Sequence, residues 1–169
     1  QTEELMSSGA ICLAYETVTD ARGRLPLLAP MSEVAGRMSV QAGAMCLEKS
    51  HGGRGMLLGG VPGTHQGKVV ILGGGVVGSN AAMMAIGLGA DVSILDRNNM
   101  VLDNLCNRFG ATAKTVYSTN DAVERLCLEA DVVIGGVLIP GAAAPKLVSK
   151  DLIKRMKPGS VVVDVAIDQ

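Results

Sequence analysis

A parallel β-sheet with helices wound over both of its faces is the fold class this sequence predicts, and three observations predict it. From Lys68 onward, short apolar runs alternate with amphipathic stretches separated by glycine and proline turns, the pattern of repeated βαβ units with right-handed crossovers. Hydrophobic residues make up 48% of the chain and aromatics only 2%. Val, Leu, Ile, Ala and the nine Met must therefore build the interior, which suits strands buried on both faces. Gly73, Gly75 and Gly78 stand at the spacing of a tight strand-to-helix turn. At 169 residues there is room for one well-buried domain and a few elements beside it.

Ahead of the alternating region the signals are sparser. Residues 10–15 form a short apolar run that predicts a strand with no partner nearby, ended by the charged turn Asp20-Ala21-Arg22-Gly23-Arg24. Ser32 followed by Glu33 reads as a helix start, and residues 32–50, rich in Ala, Met and Val, predict one long helix. Its Val34, Met38, Ala42, Met45 and Cys46 lie outside the alternating scheme. Two outcomes follow: this helix folds back on the sheet, or it leaves an apolar face that, with the strand at 10–15, drives dimers. Residues 52–67 hold seven glycines and Pro62 and predict a loop.

The alternation then begins. A strand at 68–72 leads through the glycines into a helix with Val77, Ala81, Met84 and Leu88 at helical spacing, and residues 90–96 read as a second strand. Residues 98–109 predict a helix with Leu102, Leu105 and Cys106 on one face, ended by Gly110, before a strand at 113–117. A helix at 122–128 and a buried strand at 130–134 follow. Residues 135–144 are a loop rich in glycine and alanine, 147–156 a short helix, and Lys157-Pro158-Gly159 a turn into a fifth strand at 160–167. The result is a Rossmann-type doubly wound sheet over residues 32–169, connecting helix included, with residues 1–31 set apart.

Composition removes several function classes. Lys plus Arg number 15 against 16 for Asp plus Glu, so no basic field exists for nucleic acid or an anionic membrane. Residues 69–90 carry no charge across 22 positions, nominally enough to span a bilayer, but six glycines, Ser79 and Asn80 describe a strand and a helix joined by a turn. Cys12, Cys46, Cys106 and Cys127 form no CxxC or other ligand pair. No metal site is expected, and scattered thiols fit a reduced, cytoplasmic setting.

The glycine turn carries the chemistry. Gly73 allows the tight turn, Gly75 lets the backbone approach a pyrophosphate, Gly78 lets the helix pack on its strand, and free amides at the helix start face the phosphates. Asp96 closes the second strand 21 positions after Gly75. A carboxylate there accepts hydrogen bonds from both ribose hydroxyls of NAD and repels the 2′-phosphate of NADP. Arg97 beside it would accommodate that phosphate, but the Asp96 charge remains, so NAD is the expected cofactor. Ligands of such sheets bind at the carboxyl ends of the strands. That rim takes in Gly73 to Gly78, Asp96, the Ser118 turn, residues 135–138 and, past the fifth strand, Asp168.

Longer motifs add a family. The segments Leu25-Pro26-Leu27-Leu28-Ala29-Pro30-Met31-Ser32-Glu33-Val34-Ala35-Gly36-Arg37, Gly52-Gly53-Arg54-Gly55, Leu58-Gly59-Gly60-Val61-Pro62-Gly63, Gly136-Val137-Leu138-Ile139-Pro140-Gly141-Ala142 and Asp164-Val165-Ala166-Ile167-Asp168-Gln169 closely resemble the alanine dehydrogenase family. The related NAD-binding subunit of proton-translocating transhydrogenase is similar too, but Met31 to Arg37 looks more like the dehydrogenase. The resemblance covers the whole chain. It implies NAD-dependent oxidative deamination of L-alanine to pyruvate and ammonium, with hydride passing to the nicotinamide.

It also implies that the chain is a piece. In that family the cofactor domain is inserted between two parts of a catalytic domain, so residues 1–31 would be a remnant of the catalytic part. The family's substrate-holding arginine and lysine and its catalytic histidine lie upstream; His51 and His65 match none of them and read as loop residues. Carried over by position, Ser32 would touch the cofactor, Val76 and Val77 would offer amides to the pyrophosphate, and Asp96 would hold the adenosine ribose. Ser118, Val137 and Leu138 would line the adenine and ribose side, Val165, Ala166 and Ile167 the nicotinamide, and Asp168 would be the catalytic aspartate. The chain departs from the family at Val101, where a basic residue is common, so one contact to the adenosine end is expected to be missing. The resemblance implies a homo-hexamer for the complete enzyme, and this piece is expected to bind NAD without turning over alanine. Two other readings stay open: an NAD-binding regulatory module without chemistry, and a transhydrogenase-like protein with a membrane partner.

Overall fold

The computed structural model describes residues 1–138 and 146–167, and by its internal contacts the chain divides into two compact units, Gln1–Met31 and Ser32–Gln169. The first unit holds α1 (Thr2–Ser7) and a single 3-10 turn, Tyr15–Thr17. Residues 10–15 are not the predicted strand. A strand needs a neighbour for its backbone groups, none is paired with it among the described residues, and Ile11 and Leu13 stand 91% and 85% exposed. The turn at Asp20 closes locally: one carboxylate oxygen accepts the amides of Arg22 and Arg24 and the other accepts Arg24 Nε at 2.7 Å.

Helix α2 runs Ala29–Cys46, which corrects both predicted ends. Pro30 lies in the first turn, where its missing N–H would have had no helical partner, so Ser32 is an internal, buried residue and not the helix start. At the other end Gly53 folds back onto the helix so closely that a Cβ on it would lie 2.2 Å from the Cys46 carbonyl oxygen. The chain therefore leaves the helix there and continues as the 3-10 turn Lys49–His51.

The second unit is a five-stranded, wholly parallel sheet in the order β3-β2-β1-β4-β5. Its strands are β1 (Lys68–Leu72), β2 (Asp91–Asp96), β3 (Ala113–Tyr117), β4 (Val132–Gly135) and β5 (Val161–Asp164). Between them run α3 (Val76–Gly87), α4 (Asn99–Phe109), α5 (Asn120–Glu129) and α6 (Lys150–Arg155). Short polar side chains start three of these helices: Asn98 Oδ1, Thr119 Oγ1 and Ser149 Oγ accept the amides of Met100, Ala122 and Leu152, satisfying donors that the helix itself cannot.

Side chains alternate across the strands and so build two cores. Val69, Ile71, Val92, Ile94, Val132 and Ile134 pack on one face with Ala81, Ala82 and Ala85 of α3, Leu105 of α4, and Val40 and Leu47. Val70, Leu72, Leu95 and Val133 pack on the other with Ala122, Val123 and Cys127 of α5 and Leu152 and Met156. The thiol of Cys127 is a packing group, since burial pushes its pKa up to about 11. Helix α2 fills the half of the first face that α3 and α4 leave open. A Cβ on Gly43 would lie 3.0 Å from Val132 Cγ1, and one on Gly36 would lie 2.2 Å from the Val77 carbonyl oxygen.

Several predicted details shift. Inward packing on α4 falls to Val101, Leu105 and Phe109, spaced four apart, while Cys106 is exposed. Leu88 lies past the end of α3 and is 46% exposed. Strand β4 begins at Val132 because the two residues before it turn the chain in from α5, and α6 is shorter than predicted because Ser149 caps it. Strand β5 ends at Asp164, so Val165, Ala166 and Ile167 form a turn. The uncharged run 69–90 resolves into β1, α3 and the chain entering β2, and among the described residues no helix is long and apolar enough to cross a membrane.

At the amino edge of the sheet Asp131, 1% exposed, fastens four segments. One carboxylate oxygen accepts Arg54 Nη1 at 2.7 Å and Lys157 Nζ at 3.1 Å, and the other accepts the Lys68 amide at 2.8 Å. The glycine-rich loop is thereby tied to β1, β4 and the turn before β5, with Arg54 N also donating to the Gly159 carbonyl. Removing one partner of a buried pair strands the others. Asp131→Ala is expected to cost about 3–5 kcal/mol in urea unfolding, whereas cutting the exposed Lys114–Asp91 pair should cost about 0–1 kcal/mol.

Candidate functional site

The carboxyl rim of the sheet is built outward from the turn after β1. Gly73 adopts φ +98°, a left-handed conformation that side chains disfavour, and a Cβ on it would lie 3.0 Å from Val137 Cγ2. Gly78 meets the turn from the helix side: a Cβ there would lie 1.8 Å from the Gly73 carbonyl oxygen. Gly75 differs from both. It has an ordinary φ of −68°, and an added Cβ would meet nothing within 4 Å. Open space at that position lets another molecule approach the backbone. No side chain caps α3, so the first-turn amides of Val76 and Val77 are left for an external acceptor at the positive end of the helix dipole.

Asp96 joins the turn directly. Its Oδ2 accepts the Gly74 amide at 2.7 Å and its Oδ1 accepts the Asn98 amide at 2.8 Å. Each oxygen keeps a further lone pair, so the carboxylate is oriented without being saturated. Gly74, the middle glycine, has its own reason: a Cβ there would fall 2.6 Å from Leu105 Cδ1 and 2.8 Å from Val101 Cγ1. Val101 therefore packs under the turn. Ser118 is buried, and its amide donates to the Asp96 carbonyl at 2.9 Å.

The other half of the rim lies beyond β4 and β5. Gly136 N donates to the Leu72 carbonyl, and Val165 N to the Gly135 carbonyl, both at 2.9 Å. Leu138 is 40% exposed at the edge. A cavity of about 320 Å³ opens here, lined among others by Leu72, Val137, Lys146, Asp164, Ala166 and Ile167. Asp164 Oδ1 accepts the Ala166 amide at 3.1 Å and shapes the turn.

Of the residues singled out from sequence, Gly73, Gly75, Val76, Val77, Gly78, Asp96, Ser118, Val137, Leu138, Val165, Ala166 and Ile167 all lie along this carboxyl rim. Ser32 lies on the inner face of α2, one turn before the Gly36 contact with Val77. Asp168 lies outside the described residues. His51 and His65 sit in the exposed region after α2, His51 paired with Glu48 at 3.3 Å. The rim also includes Gly74, Lys146 and Asp164, to which the motif reading gives no role. The triple glycine marked only the first of these, and no spacing rule would have joined Lys146 to Asp164.

An uncapped helix start, open space against the backbone, and a carboxylate one strand away suit a ligand that carries a phosphate linkage and a vicinal diol. Comparison with known proteins gives the site its relatives. Residues 39–169 match the family described as alanine dehydrogenase/PNT, C-terminal domain. Over 99% of its length the chain is 60% identical to an alanine dehydrogenase of Halomonas elongata and 57% identical to one of Bacillus subtilis, and it spans 45% and 44% of those proteins. A solved L-alanine dehydrogenase superposes with a TM-score of 0.92 at 55% identity, covering 99% of this chain and 46% of that one. A transhydrogenase from Sinorhizobium meliloti superposes with a TM-score of 0.70 at 30% identity, covering 83% of this chain and 40% of that one.

The glycines make a paired test. Gly78→Ala drives a methyl into backbone and is expected to cost about 3 kcal/mol or more, while Gly75→Ala should stay within about 0.5 kcal/mol of the parent. Urea unfolding of both variants measures the difference.

Proposed function

Because the chain belongs to the alanine dehydrogenase/PNT family through its C-terminal domain, we propose that it is the cofactor-holding part of an NAD-dependent alanine dehydrogenase, which converts L-alanine to pyruvate and ammonium. The observation that carries this reading is the Gly74 amide bond to Asp96, which couples the phosphate-facing turn to the ribose-facing carboxylate. The chain spans about 45% of its curated relatives, so the activity is assigned to the whole protein.

The residues present fit NAD. The Val76 and Val77 amides would hold the pyrophosphate, with Gly75 leaving room for it. Asp96 would take the adenosine ribose hydroxyls, and its charge would repel a 2′-phosphate. Ser118, Val137 and Leu138 would flank the adenine and ribose, Ser32 would reach in from α2, and Val165, Ala166 and Ile167 would lie along the nicotinamide. Val101, packed beneath Gly74, would make no contact of its own. When bound, NAD supplies the hydride acceptor. Asp168 would then stabilise positive charge developing on the amine nitrogen as the substrate loses a proton and a hydride.

Residues 1–31 belong, in this reading, to the catalytic domain, and residues 32–169 form the NAD-binding domain. The higher identity to alanine dehydrogenases, 55% against 30% for the transhydrogenase, favours amine oxidation over hydride exchange between nucleotides. Exposed Val34, Met38 and Met45 on α2 support assembly of the whole protein as a homo-oligomer, for which the family resemblance implies a hexamer, and four free cysteines fit a cytoplasmic setting.

Calorimetric titration tests the cofactor half of the reading. The chain is expected to bind NAD, with Asp96→Ala weakening it by roughly tenfold or more and easing the exclusion of NADP; no heat with NAD from folded protein would refute the reading. The catalytic half needs the whole protein. Asp168→Asn there should lower kcat by about 10²- to 10⁴-fold at unchanged NAD affinity, and alanine-dependent NADH formation by residues 1–169 alone would count against the division of labour.

A further inference from the structure

Asn80 is a polar side chain, 7% exposed, in the closely packed seam between α2 and α3. Its Nδ2 donates to the Val76 carbonyl at 2.9 Å, and its Oδ1 accepts Arg37 Nε at 3.1 Å. Ser79 Oγ donates to the same Val76 carbonyl at 3.2 Å. One turn earlier on α2 than Val40, the Gly36 position presses against the Val77 carbonyl, with room for no side chain. Two carbonyls of the first helical turn are thus approached by neighbours, Val76 by side-chain hydrogen bonds and Val77 by the backbone of Gly36.

A peptide group is a rigid plane, so holding its carbonyl aims its N–H in the opposite direction. The plane that carries the Val76 carbonyl also carries the Val77 N–H. The plane that carries the Val77 carbonyl carries the Gly78 N–H. A group that fixes Val76 O therefore fixes the direction of an amide that faces the rim. Arg37 in turn holds the side-chain amide of Asn80 from α2, so that Nδ2 and not Oδ1 meets the carbonyl.

We infer that Asn80, oriented by Arg37, is a positioning residue that aims the Val77 amide at the cofactor pyrophosphate. The inference rests on the NAD reading above and deepens it. The side chain touches no ligand atom; it acts through the peptide plane. Pre-aligned donors cost nothing to reorganise when charge arrives, and losing the alignment weakens only ligands that carry the linkage.

Three probes separate this role from general support of the fold: NAD, ADP-ribose, which keeps the pyrophosphate without the nicotinamide, and adenosine, which lacks both. In Asn80→Ala the affinity for NAD and ADP-ribose, read by calorimetry, is expected to fall by roughly 5- to 20-fold, while adenosine binding at Asp96 stays within about twofold. Arg37→Met removes an exposed side chain and is the variant safer for folding. It should lose part of the same affinity, and the double variant should lose no more than Asn80→Ala alone, because the two act in series. Equal losses for all three probes, no loss for any, or additive losses in the double variant would each overturn the positioning role. Failure of the parent chain to bind NAD would instead overturn the cofactor reading, so the two failures are distinguishable.

Discussion

The site depends on the contact between the backbone of Gly78 and the carbonyl of Gly73. With 1.8 Å available to a Cβ at that point, only a hydrogen fits, and the helix can follow its strand after a turn of three residues. The start of α3 inherits its position from that approach. The first turn of α3 is brought over the carboxyl end of β1, next to β4 at the reversal of strand order, where open α/β sheets take their ligands. Asp96 reaches the turn because β2 is the neighbour of β1 and is in register with it, Leu72 opposite Leu95.

The second constraint is coverage. Two right-handed crossovers put α3 and α4 over one half of one face, and the following crossover moves α5 to the opposite face. The exposed half needs a layer, and the chain supplies it from before β1. Helix α2 lies close enough to do so because its inner face is Ser32, Gly36, Ser39, Val40 and Gly43. Small residues bring the helix axis near the sheet, and the same closeness puts Gly36 and Arg37 against the first turn of α3. A coverage problem and a positioning problem share one solution.

Much of the fold was legible in advance because each strand is short, apolar and bounded by punctuation. Strands β1 and β3 match their predicted ends, and the other strands of the sheet lie within a few residues of theirs. The misses have separate causes. Residues 10–15 have the composition of a strand, but pairing depends on a neighbour that composition does not reveal. Ser32 has the residue type of a helix cap, but Pro30 lets the helix begin earlier. The last predicted strand ran to 167 on hydrophobicity alone, while Asp164 turns the chain by accepting the Ala166 amide. At the candidate site, the places of the glycines and Asp96 on the rim could be read because a strand-to-helix turn and a strand end are tied to spacing. Lys146, Asp164 and Asn80 could not, because each acts through a partner distant in sequence or through a cavity.

By itself the sequence determined the sheet class, the strand-to-helix turn and the chemistry that turn can hold, since these follow from local rules: glycine conformations, alternating burial and the reach of a helix start. Tertiary structure alone decided which face α2 covers, that Gly74 is bound by Asp96, and that Arg37 and Asn80 stand behind the Val76 carbonyl. The Gly74–Asp96 and Arg37–Asn80 contacts join residues 22 and 43 positions apart. No periodicity encodes such pairs, because they arise only when the packing of two faces brings separate segments within a hydrogen bond of each other.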